Sequence, residues 1–361
     1  MRRTLSMANH LKLAVAGSGK TRDLVEYCAS LPLERRVAVL TYTQANQAVL
    51  RSRLASNAGN HHSIEVMGWF TFLLRHFARP FFPFKFPKRR IQGFDFEGRP
   101  HRMATGISRF LSKNGEVYAS ELGRLSFELI AASSGSLMRR LECVFDEVLI
   151  DEVQDLSAYD WDIVDALLKS SIDLWMVGDV RQAVLATNPR SSKNKAYAYT
   201  GAIQWFRERE AQCLLNISES STTWRCRPEI AQLADSIFSP VLSFPSTVSS
   251  NSRTTGHDGV FLIHPEQIDE YVSVFNPKCL RNSANSGKSF QLDYTNFKVA
   301  KGTEHERVLI VPTQGIIQFL LKGIHLSPGP AATLYVAVTR ASQSVAFVVS
   351  ERGSSYIPWW K

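Results

Sequence analysis

The chain has 361 residues, 44% hydrophobic and 21% charged, a composition that excludes a wholly disordered or fibrous protein and leaves room for two domains. Its 42 Lys and Arg residues outnumber the 33 Asp and Glu residues, so the net charge is +9. This excess favours a polyanionic partner without identifying one.

Membrane anchoring and export are not expected. No apolar run approaches the ~18 to 20 residues of a membrane span, and the opening MRRTLSMANH lacks the apolar core of a signal peptide. The five cysteines are scattered without metal-ligand spacing, which indicates reduced thiols and a cytoplasmic protein.

The first predicted elements are a strand, a glycine loop and a helix. The apolar stretch LKLAVA (residues 11–16) leads into Gly17-Ser18-Gly19, and helical spacing runs from Lys20 to about residue 31. In AVAGSGKT (residues 14–21), Ala14 stands where the GxxxxGK[ST] pattern has glycine. The stretch therefore predicts either a phosphate loop or a plain strand-to-helix turn.

A phosphate loop would assign chemistry to each of its residues. The backbone N–H groups would converge on phosphate oxygens, Lys20 would reach the β- and γ-phosphates, and the Thr21 hydroxyl would bind Mg²⁺ at a helix N-terminus. The candidate nucleotide-binding residues are Ala16, Gly17, Ser18, Gly19, Lys20 and Thr21.

The next elements alternate between strands and helices, a pattern typical of a parallel α/β sheet. RRVAVLTYT (residues 35–43) reads as a strand, residues 44–54 as a helix, and the apolar residues 66–77 as a helix whose aromatic rings are mostly core.

The regular alternation of strands and helices is interrupted over residues 75–102, where prolines, phenylalanines and basic residues mix. This segment is either a polynucleotide contact or a proline-braced loop packed on the first domain. Helical patterning resumes over about residues 107–141.

Carboxylates end two further predicted strands, where ligands of open α/β sheets bind. In VLIDEVQD (residues 148–155), Asp151 could hold Mg²⁺ and Glu152 could deprotonate the attacking water; the alternative is an acidic cap on the next helix. In VGDVRQA, Gln182 could sense a γ-phosphate or stand as an ordinary surface residue.

The second half repeats the α/β alternation. CLLNIS (residues 213–218) reads as a strand, a helix begins near Pro228, and residues 243–259 form a surface connection. A second alternating region follows with GVFLIH, a helix, RVLIVP, another helix, and the pair LYVAVTRA and SVAFVVS. Arg225 and Arg340 in this half could supply positive charge for phosphoryl transfer, or form surface ion pairs.

The order of these motifs resembles the UvrD/Rep-type superfamily 1 helicases, in which two RecA-like domains face each other across ATP. AVAGSGKT looks like motif I, VLTYTQANQAVLRSRL like Ia, GWFTFLLR like Ib, VLIDEVQD like II and MVGDVRQAVLATN like III. TWRCRPEI looks like motif IV, VAKGTEHERVLIV like V and LYVAVTRASQSVAFVV like VI.

The resemblance implies a fold class of α/β type: two RecA-like parallel-sheet domains of the P-loop NTPase kind with an ATP cleft between them. Residues 1–215 would form the ATP-binding domain 1A with a compact insertion at about 77–140, and residues 216–361 would form domain 2A. Glu152, Gln182, Arg225 and Arg340 would be catalytic, and Glu304 would lie near the ribose. Thr41, Tyr42, Thr43 and Trp69 would line single-stranded DNA, Tyr42 and Trp69 by stacking; for Trp69 an ordinary core position is the alternative.

Several positions depart from the family pattern. None of the thirteen residues before Ala14 is the glutamine that reads adenine in the family, AVLATN replaces the usual aromatic ending of motif III, and Lys298 stands where motif V has histidine. Only about seventy residues separate motifs IV and V, too few for the family's large accessory insertion.

The sequence therefore predicts a compact cytoplasmic helicase or translocase that uses ATP and Mg²⁺ on single-stranded or partly duplex DNA, with 3′ to 5′ movement implied by the resemblance. The alternative is a DNA-stimulated ATPase switch that regulates a partner, such as a nuclease, in DNA repair or antiviral defence. A small-molecule kinase would leave the second-half arginines without a role.

Overall fold

The computed structural model describes residues 9–350 and 355–361. Residues 1–8, which open the stretch where no export signal is predicted, lie outside the described part. The chain divides into two compact units. Unit 1 takes the chain up to Leu13, with Lys20–Gly178 and Ala186–Ser218; unit 2 takes Ala14–Gly19, Asp179–Leu185 and the chain from Glu219 onward.

The first sheet has at its centre two strands, Val37–Thr41 and Glu147–Asp151, in which every side chain is buried. The strands up to residue 220 are β1 (His10–Ala14), β2 (Val37–Thr41), β3 (Ile64–Gly68), β4 (Gly93–Asp95), β5 (Glu116–Tyr118), β6 (Glu147–Asp151), β7 (Asp173–Gly178) and β8 (Asn216–Ser220). Six of them form one sheet in the order β3-β2-β6-β7-β1-β8. The pairs β2·β3, β2·β6, β6·β7 and β1·β7 are all parallel, so these strands end at one common edge.

Helices cover this sheet, as parallel strands require. They are α1 (Lys20–Ser30), α2 (Gln44–Asn57), α3 (Trp69–Phe72), α4 (Arg79–Lys85), α5 (Ala119–Ala132), α6 (Ser136–Val144), α7 (Asp160–Leu168) and α8 (Ala202–Ala211). One core cluster joins Leu24 and Cys28 of α1 to Leu50 and Leu54 of α2 through the buried face of β2.

The segment that the sequence presents as irregular is helical in its first third. The helix predicted from residue 66 begins at Trp69, after strand β3, and continues through a π-helical turn (Leu73–Ala78) into α4 as far as Lys85. Pro80 falls in the first turn of α4, where its missing N–H costs little, and Pro83 lies inside the helix. Phe81 and Phe82 are buried, so apolar packing overrides the prolines. Beyond α4, β4 and β5 pair in parallel as a separate two-stranded sheet.

Unit 2 contains a second parallel sheet. Its strands are β9 (Thr222–Thr223), β10 (Val248–Ser249), β11 (Gly259–Ile263), β12 (Lys278–Arg281), β13 (Tyr294–Asn296), β14 (His305–Val311) and β15 (Ala341–Val348), and its helices are α9 (Pro228–Ser236), α10 (Ile268–Phe275), α11 (Gln314–Lys322) and α12 (Pro328–Val338). Five strands pair in parallel in the order β11-β15-β14-β12-β13.

Helix α12 lies at the centre of unit 2. Every residue from Ala331 to Val338 is buried, and the helix is apolar on all sides. The LYVAV stretch is therefore a core helix that leads into β15, which is formed by ASQSVAFV. A short apolar run does not reveal by its period whether it is a buried helix or a buried strand.

The predicted fold class, α/β with two RecA-like parallel-sheet units, is confirmed by these pairings. The ATP cleft predicted with it stays a prediction. Among the described helices, none is both long enough and apolar enough to pass through a bilayer.

Candidate nucleotide site

The glycine loop follows β1 and ends where α1 begins. Gly17 and Gly19 both adopt positive φ angles, of 75° and 89°, which only glycine takes readily. Lys20 is the buried first residue of α1, and Thr21 is the half-buried second residue. The local backbone therefore has the strand, turn and helix order that a phosphate loop requires.

Within unit 2, the loop lies directly against the Arg225 region. The N–H of Val15 donates to the Ser220 carbonyl at 3.1 Å, and the N–H of Trp224 donates to the Gly17 carbonyl at 2.9 Å. A Cβ at Gly17 would lie 2.5 Å from the Arg225 Cβ. Glycine is thus required at position 17 by its neighbour as well as by its φ angle.

A phosphate group fits this loop by its donor chemistry. The Ser18 hydroxyl is buried and has no hydrogen-bond partner within the described residues. A buried hydroxyl without a partner costs roughly 1 to 3 kcal/mol, a cost that a bound anion would remove. The Thr21 hydroxyl and the Asp151 carboxylate are hard oxygen donors of the kind that Mg²⁺ prefers.

The predicted carboxylates lie where β6 ends. Asp151 is the buried last residue of the strand, and its Oδ1 accepts the N–H of Glu152 at 2.9 Å. Glu152 has a φ angle of 56°, in the left-handed region that non-glycine residues rarely occupy. The Gln154 amide donates to the Glu152 carboxylate. Strained backbone of this kind concentrates at functional sites because surrounding contacts must hold it.

A chain of buried hydrogen bonds in unit 2 runs from the glycine loop to Arg340. The N–H of Ala16 donates to the Tyr335 hydroxyl at 3.4 Å, and that hydroxyl donates to Asp179 Oδ2 at 3.0 Å. The Gln182 amide donates to the same Asp179 oxygen at 2.9 Å. Arg340 Nη2 then donates to Gln182 Oε1 at 3.1 Å. The structure thus brings the predicted Gln182 and Arg340 into direct contact.

Arg340 is only 2% exposed, and its guanidinium is hydrogen-bonded on several sides. Its guanidinium also donates to the carbonyls of Val336 and Thr303, at 2.9 and 3.1 Å. Arg340 immediately precedes β15, and Glu304 immediately precedes β14. The two residues therefore lie at the amino edge of the second sheet.

Arg225 and Glu304 form an ion pair rather than standing apart. Arg225 Nε donates to Glu304 Oε2 at 2.7 Å, and Arg225 Nη1 donates to the Thr339 carbonyl at 3.1 Å. Thr339 is the neighbour of Arg340, so both predicted arginines rest on the C-terminal end of α12. The placement of Glu304 near a ribose stays a prediction.

Sequence reasoning singled out Gln182, Asp179 and Arg340 but not Arg181 and Tyr335, which hold Asp179. Arg181 is buried beside Asp179, donates to Asp235 at 2.9 Å, and lies over the Tyr335 ring at 4.9 Å. Burial raises the pKa of the Tyr335 phenol well above its ordinary value, so the hydroxyl remains a donor. The Gly-Asp pair of VGDVRQ was the one local sequence signal for Asp179. No residue near Tyr335 in sequence indicates that its hydroxyl bonds to Asp179.

The predicted stacking of Trp69 on DNA is corrected by the structure. The Trp69 ring is 2% exposed, packs on Phe72, and donates its indole N–H to the buried Asp160 carboxylate at 2.9 Å. Its face is covered, so it is a core residue. An indole next to a predicted helix reads the same in sequence whether it faces outward or inward.

The three motif Ia residues have different surroundings. The Thr43 hydroxyl caps α2 by accepting the N–H of Asn46 at 3.1 Å. Tyr42 is half-buried, and its ring lies 6.1 Å from that of Phe70. Thr41 is buried, with no hydrogen-bond partner for its hydroxyl in the described part of the chain. Contacts from Thr41 and Thr43 to DNA stay predictions.

These features define an α/β protein with a phosphate-loop motif and an acidic strand end. Residues 95–187 match the family model of the UvrD/REP helicase N-terminal domain. The predicted resemblance to UvrD/Rep-like superfamily 1 helicases is thereby confirmed over this segment, which reaches from β4 past Gln182.

Among solved structures, the chain is similar to the Arterivirus nonstructural protein 10 helicase, with 15% identity over 95% of this chain and 60% of that one, and a TM-score of 0.49. A complex of the Arterivirus protein with DNA gives 15% identity over 95% and 61% of the respective chains, with a TM-score of 0.47. The chain thus spans about three fifths of the length of these structures. No curated protein matches it.

Proposed function

We propose that this protein is an ATP-dependent DNA helicase or translocase of the UvrD/Rep type, which couples Mg²⁺-dependent ATP hydrolysis to 3′ to 5′ movement on single-stranded DNA. The observation that carries the proposal is the buried contact between Gln182 and Arg340, joined through Asp179 and Tyr335 to the glycine loop. This contact would place a residue that senses the γ-phosphate beside an arginine that stabilises the developing charge.

Each proposed residue has a defined task in hydrolysis. Backbone N–H groups of the glycine loop and Lys20 would bind the phosphates, and Thr21 and Asp151 would hold the metal ion. Glu152 would orient the attacking water and accept its proton. Bound Mg²⁺ would offset the negative charge of the phosphate oxygens. Arg225 and Arg340 would stabilise the charge that develops during transfer, a contribution of roughly 10³ to 10⁵ in rate for a supplied arginine.

The second candidate, a DNA-stimulated ATPase switch that acts on a partner nuclease or repair or defence complex, is favoured by one feature. Between α9 and β14 the described chain contains β10, β11, α10, β12 and β13, and no large helical insertion. A motor without this insertion has less surface with which to separate strands. Its main activity would then be movement on single-stranded DNA or switching of a partner.

ATP hydrolysis with and without single-stranded DNA tests the proposal. Lys20→Ala and Glu152→Gln are expected to lower turnover, the latter by about 10² to 10⁴-fold because a general base contributes that much. Arg22→Ala is the matched control, since Arg22 lies on the same helix and forms an exposed ion pair with Glu26. Turnover that ignores DNA would refute the motor, and variants that hydrolyse like the parent would refute the site.

Strand displacement separates the two candidates. A duplex with a 3′ single-stranded tail should be unwound by a 3′ to 5′ motor, and one with a 5′ tail should not. DNA-stimulated hydrolysis that is accompanied neither by displacement of either substrate nor by movement along single-stranded DNA would favour the switch.

A further inference from the structure

Four aromatic rings from three separate stretches meet on unit 1. Tyr42 lies 6.1 Å from Phe70, Phe70 lies 6.0 Å from Phe94 and 5.7 Å from Phe96, and Phe94 lies 4.8 Å from Phe96. We call these four residues the aromatic platform. The Phe96 ring is 68% exposed, and the other three are half-buried. The three half-buried rings support Phe96, whose ring is left open to solvent.

The platform is held in place by its local structure. Phe94 lies within β4, and Asp95 caps the following turn by accepting the N–H groups of Glu97 and Gly98, at 3.2 and 2.6 Å. A Cβ at position 98 would lie 1.8 Å from the Asp95 carboxylate, so a side chain there would displace the carboxylate that caps the turn. The turn therefore presents the exposed Phe96 ring in a defined position.

The charge around the platform favours a polyanion. Residues 88–102 include the exposed basic side chains Lys88, Arg89, Arg90, Arg99 and Arg102. The acidic residues of this stretch are Asp95, which is used in the turn, and Glu97, and Glu116 of β5 lies against Gly93. Aromatic rings combined with exposed Lys and Arg side chains are typical of surfaces that bind single-stranded nucleic acid, where the bases stack and the phosphates pair with Lys and Arg.

The platform also lies at the ligand edge of the first sheet. Thr41 and Gly68 are paired at the ends of the parallel strands β2 and β3. Tyr42 follows the first of these strands directly, and Phe70 follows the second by two residues. Ligands of open parallel sheets bind beyond the carboxyl ends of the strands.

We propose that the aromatic platform stacks the bases of single-stranded DNA, with Phe96 as its exposed stacking surface. The proposal rests on the proposed function, because it identifies where the strand would be held. It replaces the buried Trp69 with rings that are accessible, and it assigns a role to the turn after β4.

Binding of a fluorescein-labelled thymidine oligonucleotide of about 16 nucleotides, followed by fluorescence anisotropy, tests this proposal. Phe96→Ala should weaken binding by about 5- to 150-fold, the range expected from the loss of one stacked base. Phe96→Tyr should bind like the parent, because it retains an aromatic face. Phe84→Ala is the matched control: Phe84 is another exposed phenylalanine of the same segment, contacts Phe81, and lies outside the platform.

An oligonucleotide of the same length with abasic sites separates stacking from phosphate contacts. The parent and Phe96→Ala should bind it with nearly equal affinity, since the bases are missing. A Phe96→Ala variant that binds thymidine like the parent, a Phe84→Ala variant that loses as much, or a loss that persists on the abasic strand would each overturn the platform. A parent that binds no single-stranded DNA would instead refute the proposed function.

Discussion

Replacement of Trp69 by phenylalanine tests whether this residue belongs to the core. The indole N–H donates to Asp160 Oδ1 at 2.9 Å, and Asp160 is buried. Burial raises the pKa of Asp160 to about 6, although hydrogen bonds from Thr187 and Trp69 act in the opposite direction. Because the folded pKa lies above the ordinary value of 3.8, ionised Asp160 costs the native state about 3 kcal/mol at neutral pH.

The magnitude follows from the two things that phenylalanine lacks. Loss of a hydrogen bond to a charged group costs about 1.5 to 3 kcal/mol. The smaller ring leaves unfilled core volume that costs about 1 to 2 kcal/mol. Trp69→Phe should therefore destabilise unit 1 by about 2.5 to 5 kcal/mol at pH 8, where Asp160 is ionised.

The pH dependence gives the prediction its sign. Removing the donor disfavours ionised Asp160 and raises its folded pKa further. Below about pH 6 the folded carboxyl is protonated in both proteins, so the cost of the substitution should shrink as the pH falls from 8 to about 5. The assay is urea unfolding followed by far-ultraviolet circular dichroism at both pH values.

Phe206→Leu is the matched control, because Phe206 is a buried ring of unit 1 that packs on Trp161 and Trp205 and makes no hydrogen bond to Asp160. Its cost should be the same at both pH values. A Trp69→Phe cost that does not change with pH would refute the assigned role of the indole. A Trp69→Phe variant that is as stable as the parent but binds single-stranded DNA more weakly would show that Trp69 contacts DNA.

Two further substitutions test the interiors of the units. Tyr335→Phe keeps the ring packed on Phe238 but removes the hydroxyl that links Ala16 to Asp179. Unit 2 should lose about 1 to 2 kcal/mol of stability, and ATP turnover should fall. Unchanged turnover and unchanged unfolding curves would contradict the assigned role of this hydroxyl. Burial and the nearby charges of Arg140 and Arg75 lower the pKa of His76 to about 4. The folded protein therefore holds this imidazole neutral, and the stability of unit 1 should fall as the pH drops from about 6.5 towards 4. His76→Leu should flatten this acid dependence in urea unfolding, and an unchanged slope between pH 7 and pH 5 would refute it.

Much of the first sheet could be predicted from sequence because its signals are local. The glycine loop before Lys20, the buried strand that ends at Asp151 and the strand that ends at Gly178 all follow from apolar runs bounded by glycine or acidic residues. Their order along the chain was enough to predict a parallel α/β fold and the place of the candidate nucleotide site.

The strands β3, β12 and β13 were not predicted, and α12 was not distinguished from a strand. These elements are short or apolar on every side, so their period carries little information. The helical run through Pro80 and Pro83 was missed because buried phenylalanines outweigh the local propensity of proline.

The tertiary structure alone decided which side chains meet. Trp69 is buried in the core, where Asp160, distant in sequence, accepts its indole N–H. Phe96 is exposed and lies beside Phe70, which is 26 positions earlier in the chain. Gln182 and Arg340 are 158 positions apart yet share a hydrogen bond. The sequence determined residue types and local elements, whereas burial and partnership depend on residues that only folding brings together.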